Sequence, residues 1–171
     1  MINRSLLLIL PAENFNEEEY LTTKRILEIS GFKLFIASDA NVLCVGKNGL
    51  KVRADVSFFN MNENNFAGIV FIGGSGVKKY WDKENLYKIA KKFYVKKKLV
   101  AAICSAPVIL ARAGLLEGKD ATCYPEDRRE MEKCGINYIY QPVVIQKNII
   151  TAQDSSSSCD FANAVVNFCG K

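Results

Sequence analysis

The sequence contains no histidine. That absence removes the imidazole with which Cys-His and Ser-His hydrolases activate a nucleophile and protonate a leaving group. A second copy of the chain cannot restore it, because every copy lacks the residue. It also removes the commonest metal ligand, and none of the six cysteines are spaced as C-x-x-C. Neither a metal site nor a disulfide framework is expected. Apolar runs of about 20 residues, the length a membrane helix needs, are missing too, so no membrane partner is expected. The early run SLLLIL is too short for the apolar core of a secretory leader and reads better as a buried strand. A reducing, cytoplasmic setting is the expectation for the cysteines.

What is present suits a folded domain. With 171 residues, 49% hydrophobic and 24% charged, one domain spanning residues 1–171 is expected. The net charge of +5 is mildly basic. The lysine clusters Lys78-Lys79, Lys91-Lys92 and Lys96-Lys97-Lys98 lie in stretches of helical periodicity. They read as a solvated helix face, and no nucleic-acid partner is expected.

Residues 5–10 and 68–72 are apolar throughout, as strands buried on both faces are. Lys33–Ala37 and Lys98–Ile103 are further strands. Helical spacing marks Glu17–Ser30, Glu84–Lys97, Pro107–Ala113, Glu126–Cys134 and Ser158–Cys169. Residues 38–66 are irregular, with a hairpin predicted around Gly46-Lys47-Asn48-Gly49 between 42–45 and 50–52. Ala121–Cys123 is short and extended. A second hairpin is predicted at Lys147-Asn148, between 143–145 and 149–151. Buried strands alternating with helices predict an α/β sandwich around a mostly parallel sheet.

Ligands bind such sheets at the carboxyl ends of the strands. Gly73-Gly74, Cys104 and Gln153-Asp154 all follow strands there. Cys104 sits between a strand and a helix in A-I-C-S-A, the layout of a nucleophile elbow. Small Ala102 and Ala106 stand where a tight turn needs little bulk, and Pro107 suits a first helical turn. A helix N-terminus beside the thiol would lower its pKa. A buried structural cysteine fits the local sequence equally well. Gly73-Gly74-Ser75-Gly76 would let backbone N–H groups approach an anion, but it lacks the pattern of a phosphate loop. Glu13, Glu17, Glu18 and Glu19 could supply a proton-handling carboxyl, and equally could serve as acids of a first helical turn.

Three stretches in order, F-I-G-G-S-G, A-A-I-C-S-A-P and T-C-Y-P, resemble the ThiJ/PfpI superfamily, and the likeness runs along almost the whole chain. The resemblance implies a flavodoxin-like three-layer α/β sandwich, a homodimer or higher homo-oligomer, and no cofactor. It implies that Cys104 is the elbow nucleophile and that Glu19, in F-x-x-x-E from Phe15, is its acidic partner; Glu17 or Glu18 would require a gap. Backbone N–H groups of the Gly73-Gly74 loop and Ser105 would form an anion pocket, lined by Tyr124 and Gln153. Ser105 stands where protease-like members carry histidine, and Gln153 where the family has an anion-contacting arginine. Cys123, one residue before Tyr124, is a candidate resolving thiol. The implied function is that of a cysteine-dependent stress-response protein with glyoxalase- or deglycase-like chemistry on 2-oxoaldehydes through Cys104 and Glu19. The alternative is a redox sensor or redox-regulated chaperone that meets an oxidant at Cys104. A protease or amidase is disfavoured by the missing imidazole.

Overall fold

The computed structural model describes residues 4–39 and 42–170. Residues 40 and 41 of the irregular segment, and the three residues at the start of the chain, lie outside the described residues. Strand β1 (Ser5–Ile9) leads through the short β2 (Glu13–Phe15) into helix α1 (Glu17–Ile29). Next come β3 (Lys33–Ser38), β4 (Leu43–Gly46), β5 (Lys51–Arg53), β6 (Val56–Ser57) and β7 (Gly68–Phe71). Helix α2 (Glu84–Val95), strand β8 (Leu99–Ile103) and helix α3 (Pro107–Arg112) follow. The chain then forms β9 (Asp120–Ala121), α4 (Arg128–Glu132), β10 (Asn137–Tyr138), β11 (Val143–Gln146), β12 (Ile149–Ala152) and α5 (Ser158–Cys169).

Among the described residues the main sheet has seven strands, ordered β11-β12-β8-β7-β1-β3-β6. All neighbours are parallel except β11 and β12, which form the hairpin expected at Lys147-Asn148. The apolar strands serve two half-cores. In β1, Leu7 and Ile9 pack with Leu86, Phe93 and Ile109 from α2 and α3. Leu6 and Leu8 pack on the opposite face with Tyr20 and Leu27 of α1 and Phe161 and Val165 of α5. Side chains that alternate across a strand and find helices on both faces explain why these strands carry no polar side. Each fully buried leucine contributes roughly 2 kcal/mol of apolar burial. Helix α2 buries Leu86, Ile89, Ala90 and Phe93, a stripe at helical spacing. Its outward lysines, including Lys91 and Lys92, are exposed. The result is the three-layer, flavodoxin-like α/β sandwich expected from the sequence.

Two short strands, β6 and β10, were not legible in the sequence. The stretch 126–134 is not one helix: a 3-10 turn over Pro125–Asp127 precedes α4. The hairpin at 46–49 is present as antiparallel β4 and β5, set apart from the main sheet with β2.

The chain runs from β1 outward through β3 and β6, then returns to β7 on the other side of β1. The strand order therefore reverses between β1 and β7. A crevice opens at the carboxyl ends of the strands at such a point.

Candidate functional site around Cys104

Three segments meet in that crevice. The first is the elbow after β8. Cys104 has φ 64°, in the left-handed region. Holding a side-chain-bearing residue there costs roughly 1–2 kcal/mol, so the surroundings must over-determine it. Its N–H donates to Ala152 O (3.0 Å) and its carbonyl accepts from Tyr124 N (2.8 Å). Pro107 opens α3 as expected.

The second segment is the start of α1. Asn14 is itself left-handed, at φ 54°, and the Asn16 side chain caps the helix by accepting from Glu19 N (3.2 Å). That phase turns Glu19 inward. Its side chain has no exposed surface and its Oε2 accepts from Gly73 N (2.9 Å). Cys104 is the neighbour that most lowers the proton affinity of this carboxyl, and Glu19 Oε1 has no protein hydrogen-bond partner. The neighbouring acids point elsewhere. Glu17 Oε1 accepts from Asn48 N (2.8 Å) and Leu50 N (2.9 Å), tying down the β4–β5 hairpin. Glu18 is exposed, and Glu13 pairs with Lys79 (3.0 Å) at the surface. Of these acids, Glu19 is the one whose carboxyl reaches the thiol.

The third segment is the glycine loop after β7. A Cβ on Gly73 would lie 2.6 Å from Cys104 Cβ and 2.7 Å from Glu19 Oε2. Only a hydrogen fits between them. Gly74, at φ 116°, would press a Cβ to 2.4 Å from Asn14 O. Its N–H and that of Ser105 both face the Cys104 sulfur.

The electrostatics oppose the expectation of a low-pKa thiol. Burial holds the Glu19 carboxyl up to about 7, against the pull of Cys104 and the Gly73 N–H. Burial also pushes the Cys104 thiol up, followed by repulsion from the Glu19 carboxylate. The Gly74 and Ser105 N–H groups pull the other way and do not win. At 8% exposure, desolvation of the charged sulfur outweighs the first turn of α3. The two groups form one coupled unit. When Glu19 is neutral, the repulsion disappears and the carboxyl can donate to sulfur.

Tyr124 is half-buried beside the half-core that holds Cys104. Gln153 is buried and follows β12, and its Nε2 has no protein partner. The structure does not bring Cys123 to the site. It is wholly buried in the half-core on the far face of the sheet, its Sγ donates to Tyr124 O (3.2 Å), and burial pushes its thiol up to about 12. Its place beside Tyr124 in sequence is what misleads: adjacent residues of an extended segment face opposite ways.

Sequence reasoning missed Asp127, Lys78 and Trp81. Ser105 Oγ donates to Asp127 Oδ2 (2.5 Å), and Lys78 Nζ donates to Asp127 Oδ1 (2.7 Å). Trp81 Nε1 donates to Ser105 O (2.8 Å). In sequence Lys78 reads as one of the surface lysines and Asp127 as part of a helix; no local signal links residues 22 and 49 positions apart. Among the described residues, no group of three or more Cys, Asp or Glu side chains could hold a metal ion, and no helix is long and apolar enough to cross a membrane.

Known proteins share this architecture. A ThiJ/PfpI domain protein from Brachyspira murdochii superposes with a TM-score of 0.97 at 34% identity, over 99% of this chain and 98% of its own. An uncharacterized protein of Methanocaldococcus jannaschii is 38% identical over 90% of this chain and 76% of its own length. Deglycase PfpI of Pyrococcus furiosus is 31% identical over 86% of this chain and 89% of its own. Residues 4–168 match the model of the DJ-1/PfpI family, and the chain belongs to that family.

Proposed function

We propose that the protein is a Cys104-dependent enzyme acting on small 2-oxoaldehydes such as methylglyoxal, with glyoxalase- or deglycase-like chemistry. The observation that carries this reading is the fully buried Glu19 carboxyl, held by the Gly73 N–H so close to Cys104 that a Cβ on Gly73 would meet both; burial raises its pKa to about 7. Such a pair passes one proton near neutral pH without an imidazole. Sulfur bonds to the aldehyde carbon while the thiol proton moves to Glu19. Glu19 returns it to the aldehyde oxygen, giving a hemithioacetal. The Gly74 and Ser105 N–H groups offset the negative charge on sulfur before attack. The same carboxyl then carries a proton from C1 to C2 through an enediol while the proton of the C1 hydroxyl passes to the C2 oxygen, which leaves a lactoyl thioester. Water cleaves that thioester, releasing lactate and restoring the thiol. Methylglyoxal plus one water accounts for every atom of lactic acid, and no external oxidant or reductant is consumed.

The Pyrococcus furiosus relative is named a deglycase, which is in keeping with the deglycase-like form of this reading. The test is lactate formation from methylglyoxal by the parent chain and by Cys104→Ser. The parent is expected to form lactate and the variant to form none. Equal rates in the two would sink the reading.

A second reading rests on the two N–H groups aimed at sulfur. They and a protonated Glu19 would also hold a sulfinate, the product of a redox sensor. Peroxide titration with peptide-resolved mass spectrometry checks it: Cys104 should oxidise ahead of Cys44 and Cys169, and equal oxidation removes the idea. A homodimer belongs to the same proposal, and sedimentation equilibrium decides it.

A further inference from the structure

The hydrogen-bonded chain Lys78–Asp127–Ser105 plays no part in the steps above, yet it ends on the residue next to the thiol. Asp127 is a carboxylate with 3% exposure. Burying such a group is expensive unless it is paired. Here each oxygen has a partner: Lys78 Nζ at 2.7 Å on one, Ser105 Oγ at 2.5 Å on the other. Ser105 is in turn gripped from a second direction, because Trp81 Nε1 donates to its carbonyl at 2.8 Å. The Lys78 ammonium also lies over the Trp81 ring, 5.3 Å from its centroid. Side chain and carbonyl of Ser105 are thus both fixed, which holds its Cα frame, while the peptide plane that carries the Ser105 N–H is anchored by the Cys104 carbonyl, which accepts from Tyr124 N (2.8 Å).

We propose that Asp127 is a positioning residue: anchored by Lys78, it holds Ser105 so that the Ser105 N–H points at the Cys104 sulfur and stabilises its anionic form. The proposal deepens the reading of Cys104 as the reacting group and rests on it. The contribution of Asp127 is geometric. The negative charge of Asp127 by itself disfavours a thiolate, so the charge effect and the positioning effect have opposite signs.

That opposition makes the test decisive. Alkylation of Cys104 by iodoacetamide is followed by peptide-resolved mass spectrometry from pH 6 to pH 9, with the folded state of each variant checked by thermal melting. A hydrogen bond to a charged group is worth about one pH unit, so Asp127→Ala is expected to slow alkylation about tenfold at each pH. Ser105→Ala should slow it similarly, and the double variant no further than either alone. Asp127→Asn, which still accepts from the Ser105 hydroxyl, should recover most of the rate. Faster alkylation in Asp127→Ala, as from loss of a repelling charge or from loosened packing, overturns the proposal, and so does an unchanged rate. If Asp127→Ala does not fold, the Ser105→Ala rate decides alone: about tenfold slower supports, unchanged or faster refutes. Alkylation needs no aldehyde. Slowed alkylation with no lactate from the parent chain would leave this inference standing while the enzymatic reading falls; lactate without slowed alkylation would do the reverse.

Discussion

Replacing Glu19 with Gln removes one titrating group while keeping the shape that fits between Gly73 and Cys104. In the folded chain burial lifts this carboxyl from 4.5 to about 7. The folded state therefore binds the proton more tightly than the unfolded chain does. The stabilisation from that proton is fully present below the unfolded value and is lost as pH rises through about 7. A gap of about 2.5 units, at about 1.4 kcal/mol per unit, amounts to about 3 kcal/mol. Gln has no such dependence. The stability of Glu19→Gln relative to the parent should therefore grow by about 3 kcal/mol between pH 4 and pH 8. Urea unfolding at each pH measures it, provided the m-value stays constant. The window stops below the free thiol value of ~8.5, above which Cys104 adds its own dependence. A difference that stays flat with pH would mean that Glu19 titrates as an ordinary exposed carboxyl. The one-proton exchange with Cys104 would then lose its basis.

Lactate formation should rise with pH through about 7, as the Glu19–Cys104 pair loses its first proton; a profile flat from pH 5 to pH 8 contradicts the exchange. Gly73→Ala forces a methyl to within 2.6 Å of Cys104 Cβ. Such overpacking costs roughly 1–3 kcal/mol in stability, and lactate formation should fall with it; a fully active, equally stable variant refutes the close approach. At φ 64°, Cys104→Gly should be more stable than Cys104→Ala by about 1 kcal/mol, because only glycine occupies this region without strain. Thermal melting of the two variants compares them, and the reverse order would mean that the elbow stores no strain.

Much of the scaffold was legible because its signals are short-ranged. All-apolar strands such as Leu6–Leu8 announce burial on both faces. The stripe Leu86, Ile89, Ala90 and Phe93 announces a helix on a core. Small residues, Cys104 and Pro107 announce a tight strand-to-helix turn. Their side-chain periods are local properties of the chain, so composition and spacing suffice to place the elbow, the glycine loop and the Gln153-Asp154 segment at one rim of the sheet.

Tertiary structure decided the rest. Which of three consecutive glutamates meets the thiol depends on the helix phase set by Asn14 and Asn16 and by the Gly73 N–H, 54 residues away in the chain. Cys123 faces the far half-core because the extended segment alternates, and its neighbour in sequence is not its neighbour in space. The bond between Ser105 and Asp127 spans 22 residues, and that between Lys78 and Asp127 spans 49; neither leaves a local pattern. The proton affinity of the pair is also a property of the fold. Residue types set the ordinary values of a carboxyl and a thiol, but only burial, which no single segment achieves alone, lifts both.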